Sequence, residues 1–182
     1  MKWLHLLVWS AFAIAPLCAK DEPGDKGKDY ERRRERAIED NKNKAREAWR
    51  NDEKEFKADE LAAMEQLYQK ANSNPRTAES QEMFRELIKK YPKSNRAGCA
   101  ACYIGQFSRD AGDAEKYLEL AIKDYSDCYY LNGTSVGGWA RLLLASRENG
   151  AKAKKLHEEI RKDYPDATDH SGELLVSFLD KK

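Results

Sequence analysis

Five-residue blocks that recur at a regular spacing constrain the fold of this chain more than any other feature of its sequence. The block Ser-Arg-Asp-Ala-Gly at residues 108–112 returns as Ser-Arg-Glu-Asn-Gly at residues 146–150. A second block, Lys-Asp-Tyr-Ser-Asp at 123–127, returns as Lys-Asp-Tyr-Pro-Asp at 162–166, with an earlier copy, Lys-Lys-Tyr-Pro-Lys, at 89–93. Spacings of 34 to 39 residues indicate a repeat protein, in which one supersecondary unit is stacked several times.

The repeating unit is predicted to be helical. Four apolar residues are spaced as on one buried face of a helix: Phe84, Leu87, Ile88 and Tyr91. Asn74 and Pro75 precede them as a helix-start signal, and Pro92 ends the element. No stretch alternates apolar and polar residues for long enough to predict a strand. We therefore predict an all-α fold.

These repeats resemble the tetratricopeptide repeat, a helical hairpin that stacks into a superhelix. The matching residues are turn glycines, small residues where helices cross, and prolines that close the second helix: Gly112, Gly150, Ala114, Ala153, Pro92 and Pro165. Ile104-Gly105 matches the apolar-Gly pair of the first helix. The chain departs from the pattern at Ser126, which replaces a closing proline, and at 131–134, an insertion in the third copy. The Tyr-Pro ending is most similar to repeats of bacterial envelope proteins, such as outer-membrane assembly lipoproteins and cell-division coordinators.

The resemblance implies about three helical hairpins, a capping helix and a role in binding proteins or peptides. One hairpin cannot bury its own apolar face, so the hairpins stack and the ends need caps. The apolar side of the final cap is supplied by Leu174, Leu175, Phe178 and Leu179. We therefore predict a short α-α superhelix over residues 61–182.

The N-terminal segment has the composition of a secretory signal peptide. Lys2 precedes an apolar stretch at residues 3–17, and the small residue Ala19 offers a cleavage position. The stretch is short for a bilayer-spanning helix. We predict that residues 1–19 are removed and that the protein is exported, to a periplasm or out of the cell. Lipid attachment at Cys18 is the alternative, which the bulky Leu17 disfavours.

The charge balance argues against an electrostatic partner. The full chain has 33 Lys and Arg residues and 32 Asp and Glu residues, and removal of Lys2 leaves the mature chain without net charge. A neutral chain has no electrostatic reason to bind nucleic acid. The mature sequence contains no second apolar run that would span a membrane. The predicted partner is therefore a protein or a peptide, with no nucleic acid and no transmembrane segment.

Residues 20–60 form a charged segment ahead of the repeats. The Pro- and Gly-containing leader at 21–28 is predicted to be flexible. Residues 30–57 are rich in helix formers, with opposite charges three or four positions apart. We predict a long, mostly exposed helix that contacts the repeats through Trp49 and Phe56. The charge run favours a solvated helix, and the alternative is an arm that self-associates, which would make the protein a structural spacer.

Cys99 and Cys102 form a C-x-x-C motif at a predicted helix start. Such a motif can be a redox centre because a helix N-terminus stabilises a thiolate, and an exported thiol-redox protein is the alternative function. The βαβ context of redox proteins is absent, and the other thiol and imidazole groups are too scattered for zinc. We favour small buried residues at a helix crossing, and predict no catalytic residue, metal or cofactor.

Cys99 and Cys128 are the candidate disulfide. In a helical hairpin the start of the first helix lies beside the end of the second. Cys99 begins one helix and Cys128 follows its partner, so a bridge between them would close one hairpin.

Arg109 and Arg147 occupy matching positions near the ends of matching first helices. In the family that the repeats resemble, first helices line a groove. The candidate peptide-binding residues are therefore Gln106, Arg109, Leu144 and Arg147, with a carboxylate or an acidic peptide as the ligand. The alternative is that each Arg stabilises the C-terminal end of its helix and pairs with Asp110 or Glu148.

Overall fold

The computed structural model describes residues 25–179, and within them the chain is all-helical, without a strand. The helices are α1 (Asp25–Glu55), α2 (Ala58–Asn72), α3 (Ala78–Lys90), α4 (Asn95–Phe107), α5 (Ala111–Asp124), α6 (Val136–Ala145) and α7 (Gly150–Asp163), followed by one 3-10 turn, Leu175–Phe178. The predicted all-α fold is confirmed. The predicted signal peptide at residues 1–19 lies outside the described residues.

Polar side chains fix the starts of four helices. The side chains of Thr77, Ser94, Asp110 and Ser135 each accept a hydrogen bond from the backbone N–H three residues further on. Each such cap satisfies one free donor of a helix and contributes about 1 kcal/mol. Helix α3 therefore begins after Thr77, later than the Asn74-Pro75 signal predicts, and those two residues lie in the preceding turn.

Helices α2 to α7 pack in chain order, and two layers result. Each helix contacts the next along the chain, and α4 also contacts both α2 and α6. Helices α3, α5 and α7 approach one another through long side chains instead, such as the ion pair of Arg85 with Asp113 at 2.6 Å. The layer of α2, α4 and α6, which we call the inner layer, is therefore the more closely packed one.

The main core lies between the two layers and is centred on α4. Cys99, Cys102 and Ile104 of this helix have no exposed surface, and neither does Phe84 of α3. Gly105 lets α4 and α5 approach closely, because a Cβ atom there would lie 2.5 Å from a side-chain carbon of Leu118.

Arg96 joins α1, α2 and α4 inside the protein. Its side chain is 2% exposed, and its Nε and Nη2 atoms donate to the two carboxylate oxygens of Glu65 at 2.7 and 2.9 Å. Its guanidinium lies 4.2 Å from the ring centre of Tyr68 and 5.2 Å from that of Trp49. A buried ion pair is tolerated when its groups are hydrogen-bonded in this way, whereas loss of one partner leaves an uncompensated charge.

Helix α1 contacts the repeats along its length. Its charged face is exposed, but Ala37, Asn41 and Ala45 are buried against the rest of the chain. The contact therefore extends beyond the predicted Trp49 and Phe56, along residues that are spaced four positions apart on one face of the helix. The described helix also begins at Asp25, inside the segment predicted to be a flexible leader.

Polar contacts hold α1 at three places. Near its N-terminus, the hydroxyl of Tyr30 donates to Glu173 at 2.8 Å. In the middle, the Asn41 amide donates to the carbonyl of Asp166 at 2.8 Å. Near its C-terminus, the Asp52 carboxylate accepts the backbone N–H of Asn95 at 3.0 and 3.1 Å. These places lie eleven residues, or about three helical turns, apart. The first two contact the segment after α7, and the third contacts the start of α4.

Two loops of identical hydrogen bonding face α1. Four backbone bonds of 2.8–2.9 Å define them: Tyr130 N to Thr134 O, Val136 N to Cys128 O, Asp169 N to Glu173 O and Leu175 N to Ala167 O. Gly133 and Gly172 have positive φ angles of 98° and 85° at equivalent positions. Residues 131–134 are therefore not an insertion in the third copy alone, as the sequence suggested, because the same loop follows α7.

The predicted capping helix is a single 3-10 turn. Leu174 and Leu175 have no exposed surface, as predicted for the cap, and the turn packs against α6 and α7. The loop at 167–175 uses the preceding residues in its own backbone hydrogen bonds, so only Leu175–Phe178 adopt helical geometry.

We expect Gly133→Ala to loosen α1 and Gly150→Ala not to. Both glycines have positive φ, where an alanine costs about 1–2 kcal/mol. A Cβ atom at Gly133 would also lie 3.0 Å from the backbone of Asn41 and Lys42, whereas nothing lies within 4 Å of one at Gly150. Urea unfolding should show a loss about 1 kcal/mol larger for Gly133→Ala, and limited trypsin digestion should cleave α1 faster in that variant. Equal losses and equal cleavage would contradict the contact.

We expect Asp52 to make stability depend on pH. Burial raises the pKa of this 4%-exposed carboxyl to about 6, although the Asn95 N–H and Arg96 favour its charged form. A folded-state pKa above the unfolded value means that the stabilisation present at low pH is lost as the pH rises through about 6. Asp52→Asn keeps the shape without titrating, so its stability relative to wild type should increase by about 1 kcal/mol between pH 5 and 7. A difference that is constant with pH in urea unfolding would contradict this assignment.

Candidate binding surface

Aromatic rings from the inner layer and the two loops form a continuous chain. Tyr103 stacks on Phe107 at 5.8 Å and meets the ring of Tyr130 edge-on at 5.3 Å. His170 contacts Tyr130 at 4.8 Å and Trp139 at 5.4 Å, again edge-on. Ring pairs at such distances stabilise one another beyond their burial. We call these five residues the inner aromatic surface.

Hydrogen bonds fix the orientation of these rings. The indole N–H of Trp139 points to Oε1 of Gln106 at 3.5 Å. The Asn132 amide approaches Nδ1 of His170 at 3.2 Å. Desolvation lowers the pKa of His170, which disfavours the charged form of its ring. The surface is therefore an arrangement of rings whose orientation is fixed before a ligand binds.

An exposed leucine adjoins the inner aromatic surface. Leu131 is 60% exposed, and it is the large apolar side chain that the described residues leave open to solvent. With Tyr68, Tyr103 and His170 it lines a depression of about 200 Å³. A lone exposed leucine is unremarkable, but here it adjoins Tyr103, Phe107, Trp139 and His170, which stay partly exposed around the buried Tyr130. Partly exposed aromatic rings are typical of protein interfaces.

The four predicted peptide-binding residues lie in different environments. Leu144 is 2% exposed and belongs to the core. Arg147 donates from Nη2 to the carbonyls of Gly105 and Gln106 at 3.1 and 3.3 Å, so it stabilises the C-terminal end of α4. This is the helix-end role that the sequence left as an alternative, exerted on a neighbouring helix. The structure brings Gln106 and Arg147 together and places Arg109 elsewhere.

Arg109 lines a cavity of about 620 Å³ at the α2–α3 turn, the end of α4 and the start of α5. We call it the turn cavity, and its walls include Arg76, Gln81, Arg85, Phe107, Arg109 and Asp113. The guanidinium of Arg76 lies over the ring of Phe107, 5.1 Å from its centre. Because Phe107 also belongs to the inner aromatic surface, the two features are continuous.

The charges of the turn cavity are unevenly paired. Arg85 donates to Asp113 at 2.6 Å and to Glu82 at 3.4 Å. Asp110 accepts the backbone N–H of Asp113 at 2.7 Å as the cap of α5. No carboxylate of the described chain pairs with Arg76 or Arg109. The acidic groups are thus engaged, while two guanidinium groups are available to a ligand.

The thiols of the C-x-x-C motif are in the core. Cys99 and Cys102 have no exposed surface, and burial raises the pKa of each thiol to about 12. The thiolate that a redox nucleophile requires is therefore strongly disfavoured at pH 7. Cys128 is half-buried, and burial raises its pKa as well. All three thiols are free in the structure, and the Cys99–Cys128 bridge stays a prediction.

Within residues 25–179, no group of three or more His, Cys, Asp or Glu side chains is arranged to hold a metal ion. None of the seven helices in that part of the chain combines the length and the apolar composition that crossing a membrane requires.

Comparison with protein-family models, with curated proteins and with solved structures finds no match to this chain. The resemblance to the tetratricopeptide repeat accordingly rests on the residues quoted above. The function is therefore inferred from the described surface itself.

We expect Cys99 and Cys102 to be unreactive in the folded protein. At pH 8, iodoacetamide should modify them at least ~100-fold more slowly in buffer than in urea, because the thiolate is scarce and the sulfur atoms are covered. Peptide mass spectrometry separates the sites, with half-buried Cys128 as the internal comparison. Rapid labelling of Cys99 in the folded protein would instead favour a redox role. The intact mass of the protein with and without reductant tests the disulfide.

Proposed function

We propose that this protein is a non-catalytic module that binds a protein or peptide segment through the inner aromatic surface. The observation that carries the proposal is the continuous chain of rings from Phe107 to Trp139, with exposed Leu131 beside it. Aromatic side chains supply large contact areas with few rotatable bonds, which lowers the entropic cost of binding.

The arrangement we propose is a short tetratricopeptide-like superhelix. In it α2, α4 and α6 are the first helices of three hairpins, and α3, α5 and α7 are the second helices. The inner layer is the more closely packed one, so it would form the inside of a curve. The concave face of such a stack is the surface that repeat proteins use for binding, and the inner aromatic surface lies there in this arrangement.

Export to a periplasm or out of the cell is part of the proposal, and it rests on the composition of residues 1–19. The other candidate functions receive less support from the described residues. The high thiol pKa values disfavour a redox enzyme. Self-association through residues 30–57 would have to use the exposed charged face of α1, because the opposite face contacts its own chain.

Peptide selection tests the proposal without a known partner. A random peptide library displayed on phage is selected against the folded chain, and the affinities of enriched peptides are measured by fluorescence anisotropy. We expect Leu131→Ser and Phe107→Ala each to weaken binding about fivefold to tenfold, which corresponds to roughly 1 kcal/mol of lost contact. Tyr91→Ala, a half-buried aromatic after the end of α3 that lies outside both the surface and the turn cavity, is the matched control and should change affinity less than twofold.

Circular dichroism of each variant verifies folding before binding is compared. Failure to enrich any peptide would overturn the proposal. So would a loss for Tyr91→Ala as large as that for the two surface variants.

A further inference from the structure

We propose that the turn cavity binds an Asp or Glu side chain of the segment that lies on the inner aromatic surface. This inference rests on the proposed function and specifies the chemistry of its ligand. It assigns Arg76 and Arg109 as the residues that recognise the carboxylate, and Gln81 as an acceptor for a neighbouring backbone N–H.

The proposal rests first on the positive charge that is available in the turn cavity. Arg76 and Arg109 line one cavity, and neither has a carboxylate partner within residues 25–179. Arg85 beside them is already paired with Asp113 and Glu82. A guanidinium binds a carboxylate through charge-assisted hydrogen bonds of fixed geometry. The two unpaired groups therefore select for an incoming carboxylate rather than for a cation.

The proposal rests secondly on a buried hydrogen-bond acceptor of Gln81 that has no donor. Gln81 lines the turn cavity and is 6% exposed; its Nε2 donates to the carbonyl of Pro75 at 2.7 Å. Its Oε1 is buried and has no hydrogen-bond donor. Buried polar atoms are normally paired, so a ligand that supplies an N–H would complete this side chain.

The proposal rests thirdly on the fact that the turn cavity is continuous with the inner aromatic surface. The ring of Phe107 stacks on Tyr103 on one side and lies under Arg76 on the other. If an extended segment places an apolar residue against Tyr103, a second residue, near the first in the sequence of that segment, would therefore lie in the turn cavity. The predicted ligand is an acidic residue near an apolar or aromatic one.

Acidic side chains limit the net positive charge of the cavity. Glu82, Asp110 and Asp113 line it beside Arg76, Arg85 and Arg109, so the formal charges of its lining balance. The ligand group that we propose is accordingly a carboxylate, which adds a single negative charge.

The experiment uses the full chain and the selected peptides. The library is displayed with its C-termini fused to the coat protein, so that an enriched carboxylate belongs to a side chain. We expect Asp or Glu to be enriched at one position near an apolar residue. Replacing that residue by its amide should weaken binding to wild type about tenfold, and should change binding to the Arg76→Gln/Arg109→Gln variant less than twofold.

A charge-matched control separates recognition from general electrostatics. Arg50→Gln/Lys123→Gln removes two exposed, unpaired positive charges outside the cavity and should behave as wild type. A second library with free C-termini tests whether a chain terminus takes the same site.

The inference is overturned if enriched peptides bind through Leu131 and Phe107 but carry no preferred acid, which would leave the proposed function standing. It is also overturned if the amide replacement weakens binding equally in both double variants, or if acids are enriched only at a free terminus. Absence of any enriched peptide overturns the proposed function itself.

Discussion

The buried pair of Arg96 and Glu65 is the interaction on which the rest of the described structure depends. Arg96 belongs to α4, at the centre of the core, and it also contacts Tyr68 of α2 and Trp49 of α1. Three helices thus meet at one charged group that has almost no contact with water. Because a buried guanidinium is costly unless all of its partners are in place, this pair favours a single packing of α1 and α2 against α4. The rings of the binding surface start from the same place, since Tyr68 also contacts Tyr103.

Sequence reasoning identified the helical repeats because their signals are local. The apolar spacing of Phe84 and Leu87 and the recurring Tyr at 91, 125 and 164 reflect positions that each repeat must bury or close. The docking of α1 is more extensive than predicted because Asn41 and two loop glycines take part in it, and such residues do not belong to an apolar stripe. The sequence did not show that the loop at 131–134 recurs in the next repeat. The backbone hydrogen bonds show it, because equivalent bonds form at 169–173 although most of the residues there differ in type.

The candidate site was predicted only in part, for a related reason. Arg109 and Arg147 have matching positions in the sequence, which suggested that they are equivalent. In the structure, Arg147 donates hydrogen bonds to carbonyl groups of α4, whereas Arg109 does not. Arg76 lies in a turn with no periodic pattern, and it gains significance only through its position over Phe107. The side chains that face a ligand are set by how neighbouring hairpins meet, and a linear pattern does not contain that information.

The contacts of α1 connect the length of this helix to the number of repeats. The loop before α6 meets the helix at Asn41, and the equivalent loop after α7 meets it at Arg34. These two residues lie seven positions, or about two helical turns, apart, so covering a further loop of this kind would require about two more turns of helix. The helix therefore acts as a molecular ruler: a gene duplication that lengthened the stack without extending the segment before it would leave the added unit uncovered.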